Sequence, residues 1–155
     1  MRLSNLADYA VVILAAAARA GSARLSATSL AEETGLPLPT VQKLVGRLAT
    51  AGVIISSRGT GGGFRLARAP ESISLADIVE AVEGPIAMTA CVESGRHDCA
   101  LETDCRVKPH WGAVNDAMRG ALGNVSLAQL SAPVLSAERS TPSPARVSAG
   151  SKVTL

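Results

Sequence analysis

Two short helical patterns joined at a glycine constrain the fold of this chain more than any other feature. The first covers residues 28–34, where Ser29 and Glu32 form an N-terminal signature and Gly35 a stop. The second begins within LPLPTVQKLVGRLATAGVI, and Pro39 fits its first turn because that position needs no N–H donor. The pair predicts a helix-turn-helix. The alternative is that the second helix is simply another member of a bundle.

The second of these helices has distinct apolar and polar faces. Its apolar positions recur at helical spacing and are expected to face the core: Val41, Leu44, Val45 and Leu48. The other face is polar and basic, which suits a helix that enters the major groove of DNA: Thr40, Gln42, Lys43 and Arg47.

A glycine-rich hairpin follows directly. A β-branched run over 53–55 and the alternating residues 64–66 predict two strands, and the turn between them holds Arg58 among glycines. A hairpin in this place is the wing of a winged helix. Its tip can approach DNA closely, so Arg58 is a candidate for a minor-groove or phosphate contact. A nucleotide phosphate loop is disfavoured, because the sequence lacks the Walker lysine and a following helix.

Basic residues are concentrated around the same elements. From 39 to 70 the chain has no Asp or Glu, and its basic residues there are Lys43, Arg47, Arg58, Arg65 and Arg68. The formal net charge of the whole chain is only +2, which by itself proves no acidic partner. The local concentration fits the phosphate backbone of double-stranded DNA, and the alternative is a solvated surface that happens to lack acids.

The first helical pattern, over 5–20, must be distinguished from a secretory signal, because a basic residue and the apolar run 10–18 also occur in such signals. Asp8 at the edge of the run and apolar residues at helical spacing favour an amphipathic helix. The run is also too short to span a bilayer, which takes about 20 apolar residues. We therefore expect a cytoplasmic protein without a membrane partner.

The chain has 155 residues and one Trp, one Tyr and one Phe, so we expect a single, mainly α core packed from aliphatic side chains. A further helix is predicted from its N-cap Ser74 to Gly84. After the cysteines, one long helix carries an apolar stripe that a second copy of the chain would cover: Trp111, Val114, Met118, Ala121 and Leu122, continuing to Val125, Leu127 and Leu130. The expected division is a winged helix-turn-helix DNA-binding domain with a two-stranded wing over 1–85, a cysteine loop over 86–105, a dimerisation helix over 106–130 and a disordered tail over 131–155.

All three cysteines, Cys91, Cys99 and Cys105, lie within fifteen residues. An odd number beside acidic residues favours a metal or redox site over a disulfide framework. Their spacing is wider than the paired two-residue gaps of common zinc modules, so zinc and iron-sulfur both remain open, as do isolated buried or reactive thiols. Three cysteines leave one ligand missing, and the candidates are His97, Asp98, Asp104, His110 and Asp8.

Five features occur together in one order: MRLSNLADYA, LPLPTVQKLVGRLATAGVI, RGTGGGFRLA, ISLADIVEAVEGP and the three cysteines. In this combination the sequence resembles the Rrf2-type family of iron-sulfur winged-helix transcriptional regulators that includes IscR, NsrR and RirA. The resemblance covers about residues 1–130. LPLPTVQKL and EGPIAMTAC are most similar to the branch that regulates the SUF iron-sulfur assembly operon.

The resemblance implies a homodimer with a cluster, 2Fe-2S or 4Fe-4S, held by the three thiolates. In IscR-like members a histidine three residues after the last cysteine completes a 2Fe-2S site, and this chain has Lys108 there. In NsrR-like members an N-terminal aspartate of the other subunit binds a 4Fe-4S cluster, and Asp8 occupies the matching place. The resemblance therefore favours Asp8 as the fourth ligand, with His110 as the alternative.

The DNA-facing positions that the resemblance implies are Thr40, Gln42, Lys43 and Arg58, where Gln42 suits adenine and Lys43 suits guanine or phosphate. The expected function is a repressor whose DNA affinity is switched by the cluster and which controls iron-sulfur assembly or iron-homeostasis genes. The alternatives are a winged-helix protein with a structural zinc or thiol-redox site, and an iron-sulfur electron carrier. An enzyme is not expected, because the motifs pair no nucleophile with a base.

Overall fold

The computed structural model describes residues 3–57, 62–92, 99 and 105–133. Within these ranges the chain is mainly helical and has one two-stranded antiparallel sheet. The elements in chain order are α1 (Asn5–Arg19), α2 (Ala27–Thr34), α3 (Leu38–Thr50), β1 (Ile54–Ser57), β2 (Gly63–Leu66), a short 3-10 helix (Pro70–Ser72), α4 (Leu75–Glu83), α5 (Lys108–Gly123) and α6 (Leu127–Ser131).

The helix-turn-helix consists of α2 and α3, and Gly35 ends α2 in a left-handed conformation with φ of 72°. The predicted N-terminal signature of α2 is wrong. Ser26 is the N-cap, because its hydroxyl accepts from the Ser29 N–H at 2.9 Å while the Ser29 hydroxyl accepts from the Ser26 N–H at 3.1 Å. A serine thus takes the third-residue role that Glu or Gln usually has, and Glu32 lies inside the helix.

The predicted apolar face of α3 is confirmed. Val41, Leu44 and Leu48 are fully buried, and Val45 packs at the edge of the same cluster. The same core includes Ile13 and Leu14 of α1, which are also fully buried. Because α1 buries its own apolar face in this core, the prediction that the N-terminal pattern is an amphipathic helix is confirmed.

The wing is the β1–β2 hairpin, in which Ile54 pairs with Leu66 and Ser57 with Gly63. Its free edge is joined to the segment before α2, because Leu25 and Phe64 exchange two backbone hydrogen bonds, at 2.9 and 3.0 Å. Gly63 permits this approach: it has φ of +155°, and a Cβ there would lie 2.7 Å from the Leu25 carbonyl oxygen. The tip of the wing, residues 58–61, lies outside the described residues.

Helix α4 begins and ends as predicted. Ser74 caps it, with its hydroxyl accepting from the Asp77 N–H, and the Asp77 carboxylate accepts from the Ser74 N–H in return. Partial burial opposes ionisation of Asp77, but the hydrogen bonds from Ser74 and the nearby Arg68 outweigh it and lower the pKa of Asp77. Gly84 ends the helix.

The prediction of one continuous helix over 106–130 is wrong in its last part. α5 ends at Gly123, and α6 starts after Ser126, whose N–H donates to the Gln129 side chain at 2.8 Å while its hydroxyl accepts from the Gln129 N–H. The turn lets the chain reverse toward the start of α4, where the Leu127 N–H donates to the carbonyl of Ile73, the residue before the cap Ser74, at 2.8 Å. Leu127 is therefore fully buried in the core of its own chain rather than in a dimer stripe.

Each helix within the described ranges is too short or too polar to cross a bilayer. The predicted tail over 131–155 begins too early, because Ser131 is the last residue of α6, and its part beyond residue 133 lies outside the described residues.

Candidate functional site

The outer face of α3 carries the side chains predicted to read DNA. Gln42 and Lys43 are exposed, and Thr40 is half-buried in the first turn. Since the buried face of α3 is fixed in the core, these side chains are held on a rigid element and face solvent. Arg58 lies outside the described residues, so its placement stays a prediction.

Arg47 is exposed on the same face, but it already has a partner within the chain. Its Nη1 donates a 2.6 Å hydrogen bond to the Val82 carbonyl in the last turn of α4. Sequence periodicity placed Arg47 on the polar face correctly, yet could not reveal this bond, because backbone carbonyls at helix ends leave no mark on the sequence.

A basic residue that the sequence reasoning missed lies beside the wing. Nη1 of Arg24 donates to the Ser57 hydroxyl at 2.9 Å. Arg65 is exposed on the outer face of β2, opposite the exposed Ile55 in the hairpin register. Arg24 directly precedes Leu25, so the strand contact between Leu25 and Phe64 places Arg24 beside the wing. The described part of the wing thus carries exposed positive charge, as α3 does.

The thiol segment, residues 86–105, joins α4 to α5. Cys91 is half-buried, with its Sγ 3.1 Å from the Thr89 hydroxyl, Cys105 is half-buried just before α5, and Cys99 is exposed. All three are free thiols. Thiolates are soft ligands that suit zinc or iron-sulfur clusters, so the chemistry of the donor set fits such a group.

In this conformation the three thiols do not lie close together. In residues 3–57, 62–92, 99 and 105–133, no three His, Cys, Asp or Glu side chains are grouped closely enough to hold a metal ion. A cluster on all three thiolates therefore requires a closer approach than this conformation has. The candidate fourth ligands Asp8 and His110 are both exposed, whereas His97, Asp98 and Asp104 lie outside the described residues.

A helix-turn-helix with a hairpin wing and an exposed, basic recognition face defines a winged-helix DNA-binding protein. The chain belongs to the Rrf2 family, whose model, described as an iron-dependent transcriptional regulator, matches residues 3–133.

Known relatives agree with this class. The sequence is 29% identical over 131 residues to the HTH-type transcriptional regulator IscR of Escherichia coli, covering 84% of this chain and 80% of the relative. CymR, the global cysteine regulator of B. subtilis, is similar in structure with a TM-score of 0.64 and 27% identity, over 84% of this chain and 96% of CymR. T. potens IscR matches with a TM-score of 0.60 and 29% identity, over 84% of this chain and 85% of that one. The family model and the E. coli relative thus both place the chain among transcriptional regulators.

Proposed function

We propose that this regulator binds operator DNA as a homodimer and that an iron-sulfur cluster on Cys91, Cys99 and Cys105 switches its DNA affinity. The observation that carries the proposal is the position of the three free thiols, in the segment that joins the DNA-binding domain to α5. A cluster there would draw the thiolates together, and both neighbouring helices would respond. The regulated genes we propose are those of iron-sulfur assembly or iron homeostasis, with the protein acting as a repressor.

Exposed apolar side chains support dimerisation through α5. None of the residues of α5, all of which the structure describes, is fully buried, and Val114 is 44% exposed. Val107, just before the helix, is 53% exposed. Leu122 packs instead on the cluster formed by α1 and α4, so the surface left for a second copy is the part of α5 around Val114.

Asp8 is the fourth ligand that we favour, supplied by the other subunit. It lies in the first turn of α1 and is exposed, as is Val12 one turn later on the same side. An exposed carboxylate beside an exposed apolar residue can reach a second chain that covers this face. An acidic residue also stabilises the start of its helix, which would explain Asp8 without any ligand role.

The test is anaerobic purification with analysis of iron, sulfide and zinc, followed by DNA-binding measurements before and after cluster removal. The duplex is one recovered by selection from a random-sequence library. We expect iron and sulfide, and a change in the dissociation constant of about fivefold or more on removal, as coupled sites typically show. Colourless protein that contains zinc would instead identify a structural zinc site. An unchanged dissociation constant would reject the switch.

The fourth ligand can be tested with two matched alanine variants. Asp8→Ala is expected to accelerate loss of the cluster absorbance in air, because an oxygen ligand is removed, while His110→Ala leaves the rate unchanged. Both residues are exposed, so neither change should disturb the core, which thermal unfolding of the cluster-free proteins would verify. The reverse order of cluster lifetimes would assign the ligand to His110.

A further inference from the structure

The C-terminal half of the recognition helix α3 is fastened to α4 by a side chain. Arg47 lies in the last turn of α3 and donates its hydrogen bond to the Val82 carbonyl. Val82 lies in the last turn of α4, where carbonyl groups lack an N–H partner within the helix. The guanidinium satisfies such a group and lies at the negative end of the helix dipole, so both effects hold the two helices together.

The same helix α4 is also fastened to α5. Nε and Nη2 of Arg119 donate to the two carboxylate oxygens of Glu80, at 2.8 and 3.0 Å. Two parallel bonds fix the mutual orientation of the side chains better than one. The hydrogen bonds and the charge of Glu80 raise the pKa of Arg119, so the Arg119 guanidinium stays protonated. Glu80 and Val82 are only two residues apart in α4.

Helix α5 is in turn attached to the thiol segment at two places. The Met88 N–H donates to Asn115 Oδ1 at 3.1 Å, and the Lys108 N–H donates to the Cys105 carbonyl at 3.3 Å. Asn115 and Arg119 are four residues apart, so they lie on one side of α5. A displacement of the thiol segment would therefore act on α5 at Asn115, one turn before Arg119, which binds α4.

Part of the space between α3 and α4 is not filled by side chains. An open groove of about 530 Å³ lies there, and its lining includes Lys43, Arg47 and Glu80. Because side chains do not fill the groove, the Arg47 bond limits how far the exposed edge of α3 can move from α4. The opposite face of α3 stays anchored in the core by Leu44 and Leu48.

We propose that α4 relays the position of α5 to the recognition helix through the Arg119–Glu80 ion pair and the hydrogen bond from Arg47 to the Val82 carbonyl. Arg47 is then a positioning residue, which acts on DNA through Gln42 and Lys43, and not itself a base or phosphate contact. The inference rests on the proposed cluster-dependent switch, because it states how the thiol segment reaches α3.

The test measures the dissociation constants of cluster-loaded and cluster-free protein for the selected duplex and takes their ratio. Arg119→Gln is expected to bring this ratio closer to one by about threefold or more, since the link from α5 is broken. Iron content and dimerisation should stay at the wild-type level. Exchanging the charges, with Glu80→Arg and Arg119→Glu together, is expected to restore the ratio to within about twofold of the wild type.

Arg19→Gln is the matched control. It removes a surface ion pair of similar kind, Arg19 with Glu33 at 3.1 Å, which joins α1 to α2 and touches neither α4 nor α5. Its ratio should equal that of the wild type. If Arg119→Gln leaves the ratio unchanged while the wild-type ratio differs from one, the relay is wrong and the proposed function stands.

A wild-type ratio of one would instead reject the proposed function. The relay is then decided on cluster-free protein with Arg47→Gln, Arg119→Gln and the double variant. Contacts that act in series are not additive, so the double variant should lose no more affinity than the weaker-binding single variant. If the affinity loss of the double variant equals the product of the two single fold-losses, the relay is wrong.

Discussion

Leu127→Ala is expected to lower the free energy of unfolding by about 2–5 kcal/mol, the usual cost of removing a buried leucine side chain. Leu127 is fully buried in the same cluster as Ile13 and Leu14 of α1, so a cavity would open at the centre of the DNA-binding domain. Urea denaturation of the cluster-free protein, followed by circular dichroism, measures the change. A chain of this kind typically has only about 5–15 kcal/mol of stability in total, so the loss would be severe.

Leu130→Ala is the control for that substitution. Leu130 lies in the same short helix but is 36% exposed, so its truncation should cost clearly less than that of Leu127. The comparison separates burial from helix propensity, because both variants make the same change within α6. Equal losses for both, or no loss for Leu127→Ala, would mean that α6 does not pack into the core as described.

Lys43→Gln is expected to weaken binding to the selected duplex by about 1–3 kcal/mol per recognition helix, which is about fivefold or more in the dissociation constant. Lys43 is exposed on α3 above the buried Leu44, so the substitution removes a charge without disturbing the core. The measurement is fluorescence anisotropy over a range of salt concentrations. If Lys43 binds a phosphate, the salt dependence of the variant should be shallower by about one unit for each phosphate that Lys43 neutralises in the wild type.

The salt series also distinguishes the two roles proposed for Lys43. A contact to guanine predicts an unchanged salt slope with relaxed preference at one base pair, which repeated selection with the variant would detect. Arg19→Gln again serves as the control, since it removes one exposed positive charge outside α3 and the wing. Equal weakening by both variants would show that total charge, and not the recognition face, sets the affinity.

Much of the helix-turn-helix could be predicted from the sequence because its signals are local. The spacing of Val41, Leu44 and Leu48 specifies which face of α3 is buried, and Gly35 specifies where α2 ends. The Ser74 cap and the hairpin are local signals of the same kind, and both are confirmed. The break after α5 also has a local signal, because Ser126 and Gln129 have the spacing of a capping box. The apolar stripe that continues past it favoured one uninterrupted helix instead.

The sequence by itself determined the class of the chain, because the helical period of α3, the stop at Gly35 and the hairpin pattern are local signals that define a winged helix-turn-helix with a basic outer face on α3. Only the tertiary structure decided that Leu127 is buried in its own chain, since periodicity shows that a leucine needs cover but not which surface provides it. It also decided that Arg47 binds the Val82 carbonyl, Arg24 the Ser57 hydroxyl and Arg119 the Glu80 carboxylate. These partners lie far apart along the chain, and their distances follow from how the helices pack.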